Sequence, residues 1–218
     1  MDHLIAPLAG RHAGLPLDVL ALLSLLSLAP FIVVMTTSFV RIVVVLSLVR
    51  SAIGAASLPP NAVLTGLALV LSFTVMGPTV RAVAAEAVEP YQRGAITQAQ
   101  MFQRGFVPVR RFMLRQTHAK DLALFARLAG SHEREPARLP PEIVAPAFVV
   151  GELRDAFAIG VALYLPFVAI DLAVSAILMG LGMFMLSPPI ISLPCKLLLF
   201  VMVDGWSLVC GGLVQSFR

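Results

Sequence analysis

Residues 19–49 carry a single charge, Arg41, among apolar and hydroxyl side chains, with Pro30 part-way along. An α-helix rises about 1.5 Å per residue, so this run outreaches the roughly 30 Å hydrocarbon core of a bilayer. It predicts either one long kinked helix or two short ones. A soluble fold has no means of hiding it together with the other apolar runs of the chain. Of the 218 residues, 59% are hydrophobic and 13% charged, whereas soluble domains are about 45 to 50% apolar and roughly a quarter charged. The chain therefore reads as an integral membrane protein built from hydrophobic helices.

The rest of the pattern divides at its breakers. GAASLPP at residues 54–60 interrupts the first run, and Asn61 is placed to cap the next helix. That second run, 62–76, is expected to end at Gly77-Pro78. Residues 81–142 hold most of the sixteen Lys and Arg residues with acids mixed among them. Apolar positions such as Phe112, Leu114, Leu122, Leu124, Phe125 and Leu128 predict amphipathic helices there, with residues 134–141 as a loop. Apolar character resumes at Ile143. A helix is expected over 152–180, kinked at Pro166, and Ser187-Pro188-Pro189 turns the chain into a last helix from about Pro194 toward Leu213. The expectation is one all-α domain of hairpins, with four hydrophobic segments (19–49, 62–76, 143–180 and 190–214) and a polar helical middle (81–142).

Several function classes are excluded or left without support. The basic excess in the middle segment lacks the aromatic interleaving or reading motif of a nucleic-acid binder. Cys195 and Cys210, placed on one helix, would lie about 22 Å apart, too far to bond, and no CxxC or Cys/His spacing suggests a metal. His3, His12, His118 and His132 are scattered, and His118 with Asp121 is a weak ligand spacing. No nucleophile elbow, zinc-protease, Walker or dinucleotide motif occurs, so neither an enzyme nor a cofactor is expected. The N-terminus lacks the basic start and uninterrupted apolar run of a secretory signal, which makes the first apolar segment a retained span.

Six charges sit within or beside apolar helices: Glu152, Arg154, Asp155, Asp171, Lys196 and Asp204. A lone charge at mid-bilayer costs at least about 2.5 to 3.5 kcal/mol, so such residues face a bundle interior, a water path or an opposite charge. Glu152, Arg154 and Asp155 have a plainer explanation if they lie at a helix N-terminus, where the dipole and the interface accommodate them. Lys196 and Asp204 are just over two turns apart on the expected last helix, too far for direct pairing. Asp171 and Asp204 are candidate buried polar positions. Intramembrane carboxylates also keep an ion-coupled secondary transporter open, although no internal repeat is evident, and a structural membrane scaffold is a third possibility.

Four blocks carry a resemblance. Residues 30–66, PFIVVMTTSFVRIVVVLSLVRSAIGAASLPPNAVLTG, resemble the signature of the FliP/SctR family of type III secretion export-gate proteins. FMLRQTHAKDLALF (112–125), PAFVVGELRDAFAIGVALYLPFVAIDL (146–172) and LMGLGMFMLSPPIISLPCKLLLFVMVDGW (178–206) succeed it in the family's order and approximate spacing.

The resemblance implies a non-catalytic core subunit of the bacterial inner-membrane export apparatus, forming the entrance pore for unfolded secreted proteins. It implies a homo-oligomer, a pentameric ring wound as a shallow helix with Q/S-type and R/T-type gate subunits. The surrounding export and base-ring proteins, and membrane lipid, are the other contacts. The assembled gate is expected partly on the periplasmic side, its spans bent as hairpins. The missing signal sequence departs from many flagellar members and favours the virulence-type injectisome branch. Glu152 and Lys196 match family positions that pair between neighbouring subunits. Met183, Phe184 and Met185 match a methionine-rich loop that forms a gasket around the channel. Gly180, Gly182 and Pro188-Pro189 weaken or end helix on either side of them, so a turn is expected there. Periodicity alone would equally allow ordinary helix packing, with Met filling gaps.

Overall fold

The structure, a computed structural model, describes residues 17–55, 58–131, 133 and 135–217, and every regular element among them is helical. His3, His12, His132 and Arg134 lie outside the described residues. The chain forms two units, Met1–Val33 and Val34–Arg218. The first contains most of α1, Leu17–Met35, whose side chains Leu23, Phe31 and Ile32 are exposed.

The long apolar run resolves into two helices, and the break is at residues 36–38 rather than at Pro30, which lies inside α1. Hydroxyls make this break. The Thr37 side chain donates to the Val34 carbonyl and accepts from the Phe39 N–H, which takes backbone groups away from the helical ladder. α2, Phe39–Ile53, ends at Gly54, whose φ of 84° is a left-handed cap that glycine adopts without strain.

α3, Asn61–Val83, begins at Asn61, so that residue is inside the helix and not its cap. Its side chain is drawn away, the Oδ1 accepting from Arg50 at 2.6 Å. Nor does the helix stop at Gly77-Pro78. It passes through Pro78, a π-helical turn at Ala84–Val88 and into α4, Glu89–Gln92. An interior proline costs about 3 kcal/mol. Here the helix is held on both sides of it by buried Met76, Thr79 and Ala87.

The polar middle forms two amphipathic helices, as expected. α5, Gln98–Gln116, opens with a Thr97/Gln100 capping box and buries Phe112 and Met113. α6, Ala119–Leu128, buries Asp121, Leu122 and Ala126, while Leu124 and Leu128 are left exposed. A short 3-10 turn, Pro136–Arg138, comes next, tied down through a hydrogen bond from Arg110 to the Leu139 carbonyl.

α7, Pro141–Gly180, is one 40-residue helix running through Pro146 and Pro166. Glu152, Arg154 and Asp155 are therefore in a helix interior, and the N-terminal dipole does not account for them. α8, Pro188–Met202, begins at the proline pair, because proline suits a first helical turn. The last apolar segment is not a single helix: α9, Gly205–Gln215, leaves α8 at a 63° bend. Cys195 and Cys210 consequently lie on different helices, both free, and Lys196 and Asp204 do not share one.

Among the described residues, Asn61–Gln92 and Pro141–Gly180 are long and apolar enough to cross a membrane, and the α8–α9 pair makes a third if taken as one bent span. These correspond to the expected segments 62–76, 143–180 and 190–214. In the second unit one core joins α2, α3, α7, α8 and α9 through Leu46, Leu64, Ala156, Phe200 and Val209. The other joins α3, α5, α6 and α7 through Met76, Phe112, Met113, Leu122 and Phe148.

Candidate functional site

Arg41 lies within the α2–α7 contact and is 3% exposed; Glu152 is fully buried. The guanidinium grips that carboxylate with two hydrogen bonds, Nη2 to Oε1 at 2.6 Å and Nε to Oε2 at 2.9 Å. Nη2 also donates to Asp155 at 3.0 Å, and Nη1 donates to the Ser216 carbonyl at 3.2 Å. The Phe217 ring stands 4.2 Å from the guanidinium carbon, in cation–π range. The planar fork of arginine suits this bidentate capture, which a lysine would not reproduce. Sequence reasoning noted Arg41 only as an interruption; its isolation in an apolar run was the available signal.

The acidic stripe of α7 continues toward the polar middle. Arg154 makes a second bidentate pair, both its terminal nitrogens 2.6 Å from Asp121 on α6. The Arg154 hydrogen bonds hold the Asp121 carboxyl below the usual carboxylate range, against its burial. His118 stands between the two groups of charges, 3.9 Å from Asp121 and 3.9 Å from Asp155. The His118–Asp121 spacing therefore sets the imidazole beside two carboxylates that arginines already hold. Among the described residues no group of three or more His, Cys, Asp or Glu side chains could hold a metal ion.

Lys196, 6% exposed, is paired with Asp171 of α7 at 2.6 Å. Glu152 and Lys196, expected to neutralise each other between subunits, thus each have a partner within their own chain. Asp171 is partly buried by this pair. Asp204, expected as a buried position, is exposed: it is the left-handed residue, φ 50°, at the α8–α9 bend.

Met183, Phe184 and Met185 lie in the turn between α7 and α8, where Gly182 takes a φ of 74°. Their exposures are 43%, 79% and 102%. The turn expected from the flanking glycines and prolines is present, and the described residues leave its apolar side chains largely uncovered.

Ion pairs that tie the 40-residue apolar α7 to α2, α6 and α8, with an exposed apolar turn at its end, define an all-α membrane protein. Relatives place it within that class. A model of the FliP family matches residues 22–213. The flagellar biosynthetic protein FliP of Pectobacterium carotovorum subsp. carotovorum is 49% identical over 212 residues, covering 97% of this chain and 82% of the relative. Proteins of the same name from Caulobacter vibrioides and Bacillus subtilis are 48% and 44% identical, over 96% and 91% of this chain and 80% and 90% of their own length. The chain belongs to the FliP family, a component of the type III export apparatus. These relatives carry a flagellar name, which turns the expectation of an injectisome branch toward the flagellar one.

Proposed function

We propose that this chain is a pore-lining subunit of a flagellar export gate, through which unfolded proteins cross the bacterial inner membrane. Its activity is conduction and gating, with no catalysis and no cofactor. The observation that carries the reading is the α7–α8 turn, with its cluster of unpacked apolar groups at Met183, Phe184 and Met185. Exposed apolar clusters mark surfaces that other molecules cover. In a ring of five copies wound with Q/S-type and R/T-type subunits, partly on the periplasmic side, these turns would meet around the axis. Unbranched methionine repacks around a passing chain of varied side chains, and a narrow apolar ring stops ions by dewetting when empty. Phe184 gives the constriction bulk with less flexibility.

Replacing residues 183–185 by glycines in the assembled complex is the test. We expect assembly to persist, small-ion leakage to rise and export to become unregulated. Unchanged leakage with normal assembly would return these side chains to a packing role.

A further inference from the structure

His118 occupies the N-cap position of α6, yet its side chain makes no cap hydrogen bond. The ring stands against α7 instead. Gly151 lets it come close, since a Cβ there would lie 3.9 Å from Nδ1. The two ring nitrogens face different carboxylates: Nδ1 is 3.9 Å from Asp121 Oδ2 on its own helix, and Nε2 is 3.9 Å from Asp155 Oδ1 on α7.

A neutral imidazole carries one N–H, so in either tautomer one bare nitrogen lone pair is turned on an anionic oxygen. An imidazolium donates from both nitrogens, and only that form suits both sides. We infer that His118 is a proton-operated clip between α6 and α7, closed when its imidazole is charged and released when it is neutral.

The charges around the ring favour the closed form. Arg41 of α2 is committed to Glu152 and Asp155, and Arg154 of α7 to Asp121, which sets two cations against three carboxylates. Lys120 beside His118 and Arg115 near the end of α5 are exposed, and among the described residues neither is in an ion pair. A proton on His118 therefore balances the cluster. The ring is half exposed and exchanges protons with solvent, whereas Glu152, the other group in the cluster that could take one up, is fully buried. Histidine changes charge between about pH 8 and pH 5. The clip is closed at the acidic end of that window and is lost as pH rises through it, leaving Arg154–Asp121 as the hold of α6 on α7. It does not depend on the α7–α8 turn or on any role of that turn in a pore.

The experiment uses the full chain copurified with its export partners. Opening of α6 is read from amide hydrogen exchange of residues 119–128 at about pH 8 and about pH 5, corrected for the intrinsic pH dependence of exchange. We expect α6 to open about two- to fivefold less readily at the lower pH, the scale of a partly exposed ion pair. His118→Gln, which cannot take up the proton, should open equally readily at both. His118→Lys, charged throughout, should stay protected at both, so the test survives if either variant fails to fold. An undiminished pH response in these variants would place the proton on Glu152 and overturn the clip, as would the absence of any response in the unaltered chain.

Discussion

Arg41 and Glu152 are held by partners more than a hundred residues apart in sequence, and neither has access to water. Removing one member of such a pair strands the other, which typically costs about 3 to 5 kcal/mol. Two exchange experiments separate the partner seen within the chain from the partner expected across subunits. Arg41→Glu with Glu152→Arg should recover much of the stability that either change loses alone, read by thermal melts of the purified chain. Glu152→Lys with Lys196→Glu should recover complex formation only if assembly trades the Arg41 and Asp171 contacts for one between subunits. Additive damage in that second double variant would confine both charges to their own chain.

The Asp121–Arg154 pair predicts a pH dependence with a definite sign. Because its partner holds Asp121 below the usual carboxylate range, the contribution is fully present above the unfolded value of about 4. It is lost as pH falls through the lower folded value. The unaltered chain should therefore lose melting temperature steeply below about pH 4, whereas Asp121→Asn should start lower and change less across that interval. Parallel pH profiles would show that the pair contributes nothing to the acid response.

At the level of elements, the α8–α9 bend depends on the absence of a side chain at one position. A Cβ on Gly205 would stand 2.3 Å from the Phe200 ring, and that ring in turn packs edge-on against Trp206 at 5.2 Å. An aromatic ring cannot bend aside as an alkyl tip does. Gly205→Ala should accordingly destabilise by about 1 to 3 kcal/mol, the usual range for overpacking. Adding Phe200→Leu should return part of the loss, measured by melts of the single and double variants. Equal stability of Gly205→Ala and the unaltered chain would show that the bend relaxes freely.

The elements were legible where local chemistry decides them. Amphipathic spacing marked α5 and α6, and glycine with paired prolines marked the turn at residues 181–187. They were misjudged where packing overrules local preference. Pro78 remains inside a continuous helix and Asn61 uses its side chain on Arg50, while the α8–α9 bend arises at Asp204-Gly205, a turn dipeptide passed over within an apolar run. Charges could be flagged from sequence because a bilayer penalises them, but pairing Arg41 with Glu152, or Arg154 with Asp121, needs the third dimension. No periodicity connects residues so far apart.

For the molecule as a whole, the same distribution explains why an apolar run need not be a span. The 15 residues of α2 are too short to cross a bilayer, and this helix is enclosed by α3, α7 and α8, with Ile42, Val45 and Leu46 fully buried. Apolar sequence there serves protein packing, and charges and prolines are tolerable for the same reason. At 1.5 Å per residue, α7 is about 60 Å long, twice the hydrocarbon thickness. Its charged turn near Glu152 is clamped from two sides, by Arg41 on α2 and by Asp121 on α6, while its far end carries the apolar turn. Any tilt of this helix about those ion pairs would work against the Asp171–Lys196 contact with α8 further along it. Some 37 Å separates Asp155 from Gly180 along the axis, so a tilt of about 5° carries the tip sideways by about 3 Å, the width of a methyl-sized gap opening or closing.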